Sequence, residues 1–240
     1  MMLSESCAKI NLTYLPRFEF DFMVNTSVFI SNRRRILEMG AVFLTGAGKF
    51  IFMDWLAWKL PFIVLAIVAW STYVFIRQRQ VPHILHYWGF RIDNFGRVAK
   101  VVLPFGLASV IVFFLLGFYL GTLNLTWHII PILILYPVWG VIQQFLVIGL
   151  VAGNLKDLKQ RKPSDLLIIL LTALLFGVLH FPFYWLMFGT FVLALFYGYI
   201  YLRSRNVYAM GIFHGWLGAL FFYTVVGRDP FTEVFGKLLQ

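Results

Sequence analysis

Charged side chains are scarce in this 240-residue sequence, at 12% of the total, where a soluble domain carries about 25%. Ten Asp and Glu with twenty Lys and Arg cannot coat a water-soluble body of this size, so an ordinary soluble fold is excluded. Hydrophobic residues reach 61%, which excludes a disordered chain as well. No nucleic-acid partner is expected either, although the formal net charge of +10 has the sign one would need. Cysteine is nearly missing: Cys7 alone cannot close an intramolecular disulfide or build a Cys-type zinc site. Internal repeats and Pro- or Ser-rich linkers are absent, so a single membrane domain is expected. The N-terminal stretch lacks the basic start and short apolar run of a cleavable signal peptide, being broken by Glu5, Arg17, Glu19 and Asp21. Residues 1–35 are read as an interfacial or poorly ordered extension, 36–228 as the membrane domain and 229–240 as a short C-terminal tail. Met39, where the hydrophobic body opens, stands as an alternative start.

Long apolar runs fill the remainder. A spanning helix needs about 20 mostly apolar residues, and Leu60–Ile76, Val101–Gly121, Ile129–Gly153, Asp165–Phe181, Phe183–Leu202 and Val207–Val226 meet this well or nearly. Ile36–Trp58 is a weaker seventh, interrupted by Lys49 and Asp54. These two lie five apart, a poor spacing for pairing on an α-helical face, and are expected to reach toward the interface. Sixteen of the twenty basic residues fall in the stretch up to Arg35, in Arg77–Lys100, in Lys156–Lys162 and in Arg203–Arg205. These alternate with nearly uncharged connections, as Lys and Arg do when they mark the cytoplasmic side. The expected fold class is all-α: a polytopic transmembrane helix bundle of about seven spans, N-terminus cytoplasmic, in a plasma membrane such as the bacterial inner membrane. Membrane lipids are the first expected partners. His86-Tyr87-Trp88-Gly89-Phe90-Arg91 has the amphipathic composition of a loop lying in the headgroup layer, with substrate docking as the alternative. Gly149-x-x-x-Gly153 and Gly211-x-x-x-Gly215 are spacings that let helices approach closely. Asn124-Leu125-Thr126 matches a glycosylation pattern of low specificity.

Polar residues inside apolar spans are costly and carry most of the functional information. Gln143 and Gln144 sit mid-span, His180 lies near the end of Asp165–Phe181, and His214 lies in the inner half of Val207–Val226. Each also has an ordinary structural role, an interhelical hydrogen bond of ~0.6–2 kcal/mol.

The order Gln143-Gln144, then Phe176-Gly177-Val178-Leu179-His180, then Gly211-Ile212-Phe213-His214-Gly215 resembles the CAAX protease and bacteriocin-processing (CPBP, or Abi) family of intramembrane metalloproteases. That family shows Glu-Glu-x-x-x-Arg, Phe-x-x-x-His and His-x-x-x-Asn or Asp in this order. The resemblance covers about Pro137–Phe222. It implies a catalytic site of Gln143, Gln144, His180 and His214, with His180 and His214 on zinc or another divalent metal. The family's Glu pair falls on Gln143 and Gln144, its Arg on Ile148, and its last Asn or Asp on Gly218. Both histidines are retained; the acid is not. A carboxylate accepts a proton from water and a neutral carboxamide does not, while catalytic zinc usually takes three protein ligands.

The implied function is a CPBP-like intramembrane metalloprotease, weakened in activity, acting on hydrophobic or membrane-associated peptides. The alternative is a non-catalytic relative that binds a hydrophobic peptide or partner helix in the same cavity. A transporter ranks last, because paired broken helices and intramembrane ionisable residues are few.

Overall fold

Backbone in hydrocarbon has no water to bond to, so each apolar run must close its hydrogen bonds internally, and a helix does this. A computed structural model describes residues 28–159 and 162–236, and every one of the apolar runs is helical. Helix α1 covers Asn32–Gly48 and continues as a π-helix over Lys49–Trp55. Helix α2 is Lys59–Gln80, α3 the short Ile84–Trp88, and α4 Phe95–Leu120. Helix α5 runs Ile129–Gln144, through a π-helix at Phe145–Ala152, to Gly153–Lys156. Helices α6 and α7 are Asp165–Val178 and Tyr184–Tyr201. Helix α8, Val207–Phe221, also ends in a π-helix, Phe222–Val226, and α9 is Pro230–Phe235.

Among the described residues, six helices are long and apolar enough to cross a membrane. Helix α6 is apolar but has 14 residues, about 21 Å of rise against a hydrocarbon layer of ~30 Å. The chain is thus a multi-pass integral membrane protein with six full segments and one short one. The first segment begins at Asn32, four residues before the expected boundary, and the expected tail contains α9. Residues 1–27 of the expected extension lie outside the described residues.

One end of the bundle carries the basic clusters. Here Ser31, Ser164 and Asn206 cap the starts of α1, α6 and α8, accepting from Arg34 N, Leu167 N and Ala209 N. Each side chain satisfies a backbone donor that the first turn leaves free. Arg35 and Glu38 are buried at this end. Arg35 donates to Tyr87 at 2.6 Å and to Asn154 at 3.0 Å, while Glu38 accepts from Tyr73 at 2.6 Å and from Asn154 at 2.7 Å. Arg205 bridges to Asp157 at 2.7 Å. Charges that no helix could carry into lipid thereby lock α1, α2, α3 and α5 together.

The His86–Arg91 stretch differs from the expected headgroup loop. Trp88 is 1% exposed and Ile84 0%, because the Trp88 ring packs on Phe145 at 5.1 Å and on Tyr73 at 6.0 Å. Gly89 takes φ +91° with the Arg205 backbone against it, a conformation and an approach that suit glycine alone.

Helices α5 and α8 meet backbone to backbone. A Cβ on Gly140 would lie 2.3 Å from the Gly211 carbonyl oxygen, one on Gly211 2.3 Å from Val141 Cα, and one on Gly215 2.5 Å from Pro137 N. The Gly211-x-x-x-Gly215 expectation therefore holds, with Gly140 as its partner. Gly149 and Gly153 instead meet side chains, the Phe145 ring and the Tyr201 hydroxyl.

At the far end, Asp229 caps α9 and holds it to the bundle. Its carboxylate accepts from Tyr223 at 2.7 Å and Thr232 at 2.8 Å, and His128 Nδ1 lies 2.5 Å away. Burial alone pushes this carboxyl up, but the hydrogen bonds from His128, Tyr223 and Thr232 outweigh it and hold the group at about 2. Asn124 is engaged nearby, its amide on the Gly227 carbonyl at 3.5 Å.

Two outcomes follow. Gly215→Ala should lose about 1–3 kcal/mol through overpacking, whereas Gly218→Ala, with nothing within 4 Å of its Cβ, should cost far less; thermal unfolding in detergent compares them. Because the folded Asp229 value lies below its ordinary 3.8, its contribution is complete above that value and is lost as pH falls toward about 2. The stability gap between wild type and Asp229→Asn should therefore close over that window and stay constant above it.

Candidate active chamber

The glycine contact between α5 and α8 sets Gln143 against His214. Gln143 lies one turn after Gly140 and His214 sits between Gly211 and Gly215, and with the backbones in contact the carboxamide reaches the ring: His214 Nε2 lies 3.0 Å from Gln143 Oε1. An oxygen only accepts, so Nε2 carries the proton, and the lone pair of the neutral ring falls on Nδ1. His214 is 5% exposed and its Nδ1 has no hydrogen-bond partner among the described residues.

Helix α6 supplies the second imidazole. After Val178 the chain turns through Leu179–Pro182, with a cis Phe181–Pro182 peptide, and His180 folds back so that Nδ1 donates to the Phe176 carbonyl at 2.7 Å. Its Nε2 is then the nitrogen with the free lone pair. Phe176, 1% exposed, stands between the histidines, its ring 4.9 Å from His180 and 5.1 Å from His214. Phe176, one turn before His180, packs against both imidazoles, so the two histidines share one aromatic neighbour.

Gln144 is 1% exposed, and neither its amide nitrogen nor its oxygen has a hydrogen-bond partner among the described residues. Each such buried group costs ~1–3 kcal/mol if left unmade. The π-helix begins at the next residue, Phe145, a helix irregularity often found at functional sites. Of the family-aligned positions, Ile148 is fully buried and Gly218 opens on space in which a Cβ meets nothing within 4 Å.

Lys49 belongs to this neighbourhood. The α-helical spacing rule disfavours its pairing with Asp54, yet the two form an ion pair at 2.7 Å. The reason is the π-helix at Lys49–Trp55: its hydrogen bonds run i→i+5, as from Leu56 N to Ile51 O at 2.9 Å, so residues five apart stack on one face. Lys49 also donates to the Phe181 carbonyl at 2.8 Å, one residue from His180. No periodicity in the sequence signals this contact.

The donor set does not suit a catalytic divalent metal of the family type. It offers two neutral nitrogens, His180 Nε2 and His214 Nδ1, beside neutral carboxamides. No group of three His, Cys, Asp or Glu residues among the described residues could hold an ion. Three protein ligands are usual for catalytic zinc.

Residues 125–220 match the model of the family described as type II CAAX prenyl endopeptidase Rce1-like. This segment contains Gln143, Gln144, His180 and His214, so the resemblance drawn from the motifs holds over it. Comparisons with curated proteins and with solved structures give no match.

Removing the Lys49 anchor should loosen the His180 turn. In Lys49→Met, hydrogen exchange at the amides of 179–181 and 183 should accelerate about tenfold or more, whereas Lys59→Met, which breaks only the pair with Glu233, should leave them unchanged.

Proposed function

For a multi-pass membrane protein whose residues 125–220 are CAAX-protease-like, we propose a role in binding hydrophobic or membrane-associated peptides without efficient hydrolysis. The observation that carries this reading is the contact of His214 with the carboxamide of Gln143, where hydrolysis needs a carboxylate to take the proton from water. Gln144 adds a second argument. Its buried, unpartnered amide offers two donors and a carbonyl acceptor, the complement of a peptide bond's own C=O and N–H. A peptide entering from the membrane would satisfy Gln144 and, through a backbone N–H, His214 Nδ1. Phe176 supplies an apolar wall beside both rings, and a bacterial inner membrane is the setting we propose.

The second reading is a weak metallopeptidase with zinc or another divalent ion on His180 and His214. The arrangement of both imidazoles around Phe176 favours it. The donor set opposes it.

Two measurements separate the readings. Gln144→Leu should weaken binding of a fluorescent hydrophobic peptide about tenfold, the effect of one buried polar partner, with folding unchanged. In the triple variant Gln143→Glu, Gln144→Glu, Gly218→Asp, peptidase activity should rise at least ~100-fold over wild type, the low end of what a positioned general base contributes, and stoichiometric zinc should appear. Zinc-dependent cleavage by the wild type that His180→Ala abolishes would overturn the binding reading in favour of the enzyme.

A further inference from the structure

Away from the chamber, α1 and α2 enclose a cleft of about 360 Å³, lined by Arg34, Glu38, Ala41, Thr45, Trp70 and Tyr73 among others. Its chemistry changes along its length. Arg34 stands at the basic end, and from there to Thr45 the α1 wall descends about 16 Å toward the membrane middle. The α2 wall runs antiparallel, so Tyr73 lies near the mouth and Ala69 deeper. The deep half is apolar in effect, because its polar tips are engaged: Thr45 Oγ1 donates to the Ala41 carbonyl at 2.9 Å and accepts from Trp70 Nε1 at 3.2 Å.

The mouth is cationic. The Arg34 side chain is exposed and makes no hydrogen bond or ion pair among the described residues. Arg77, one turn beyond Tyr73 on α2, is 7% exposed and its Nε has no partner among the described residues, while Nη1 donates to Gln80 at 3.2 Å. Glu38, held by Tyr73 and Asn154, offsets one of these two charges and leaves the mouth with an excess of one positive charge.

We propose that this cleft binds one anionic phospholipid of the leaflet at the basic end, with its phosphate at Arg34 and one acyl chain along Trp70 toward Ala69. Size selects against a partner helix. A helix with side chains is about 10 Å across, so 16 Å of it would fill roughly 1,200 Å³, more than three times the cleft. A single chain fits, and the order of cation, then aromatic tips, then apolar walls repeats that of phosphate, glycerol ester and hydrocarbon.

Native mass spectrometry of the detergent-purified protein, titrated with phosphatidylglycerol or phosphatidylcholine, tests this. The wild type should retain one phosphatidylglycerol with about fivefold preference, the worth of one basic residue at an anionic surface. Arg34→Gln should abolish the preference. Ala69→Trp, at an exposed position that fills the cleft, should release both lipids. Arg79→Gln, whose guanidinium lies over Phe75 at 4.7 Å and outside the cleft lining, should change neither. Equal retention of the two lipids by the wild type, or equal losses in Arg34→Gln and Arg79→Gln, would overturn the proposal. So would a photoreactive group at position 69 that labels another polypeptide or residues 1–27 instead of lipid.

Discussion

The candidate chamber depends on the contact between the backbones of α5 and α8. Gly140, Gly211 and Gly215 leave no room for a Cβ on either side, and only at that separation can a glutamine side chain reach His214. In lipid, apolar side chains gain little by meeting one another, and close van der Waals contact is what draws helices together. The same contact that holds the bundle therefore sets the Gln143 to His214 distance. Without it Gln143 and His214 would be isolated polar groups in hydrocarbon, each a liability.

Neutrality is the second constraint. His214, Gln143, His180 and the Phe176 ring that joins them carry no formal charge between them, and Arg35 and Glu38, buried at the basic end, are bridged through Asn154. Arg35, Glu38, Asn154 and Tyr73 form a connected set at the basic end, and His128, Tyr223 and Asp229 another at the far end. Charge in the middle would need compensation that the apolar walls cannot give. Gln143 and Gln144 avoid that cost, and as neutral carboxamides they do not accept a proton from water as a carboxylate does.

Helix geometry explains where local rules mislead. Pairing rules for α-helices separate Lys49 from Asp54, but the π-helix stacks them and frees Lys49 to hold the turn beside His180. His180 and His214 lie 34 residues apart on different helices, but the short α6 turns back at Leu179 and both imidazoles pack on Phe176. The aromatic and basic composition of His86–Arg91 suits the headgroup layer, yet Trp88 is drawn inward because Phe145 and Tyr73 offer it a packed aromatic site.

The amino-acid sequence alone determined the class of solvent, the helical nature of every span, the basic and uncharged ends, and the four polar residues that lipid would not tolerate without a reason. These follow from composition and periodicity, which act residue by residue through transfer free energy and backbone hydrogen bonding. Only the tertiary structure decided that Gly140 is the partner of the Gly211-x-x-x-Gly215 face, that Lys49 anchors the His180 turn, and that Arg34 overlooks a cleft. Each of these is a relation between segments distant in the chain. Local propensity has no access to them, because they are fixed by how close two helices come and which side chains that distance lets meet.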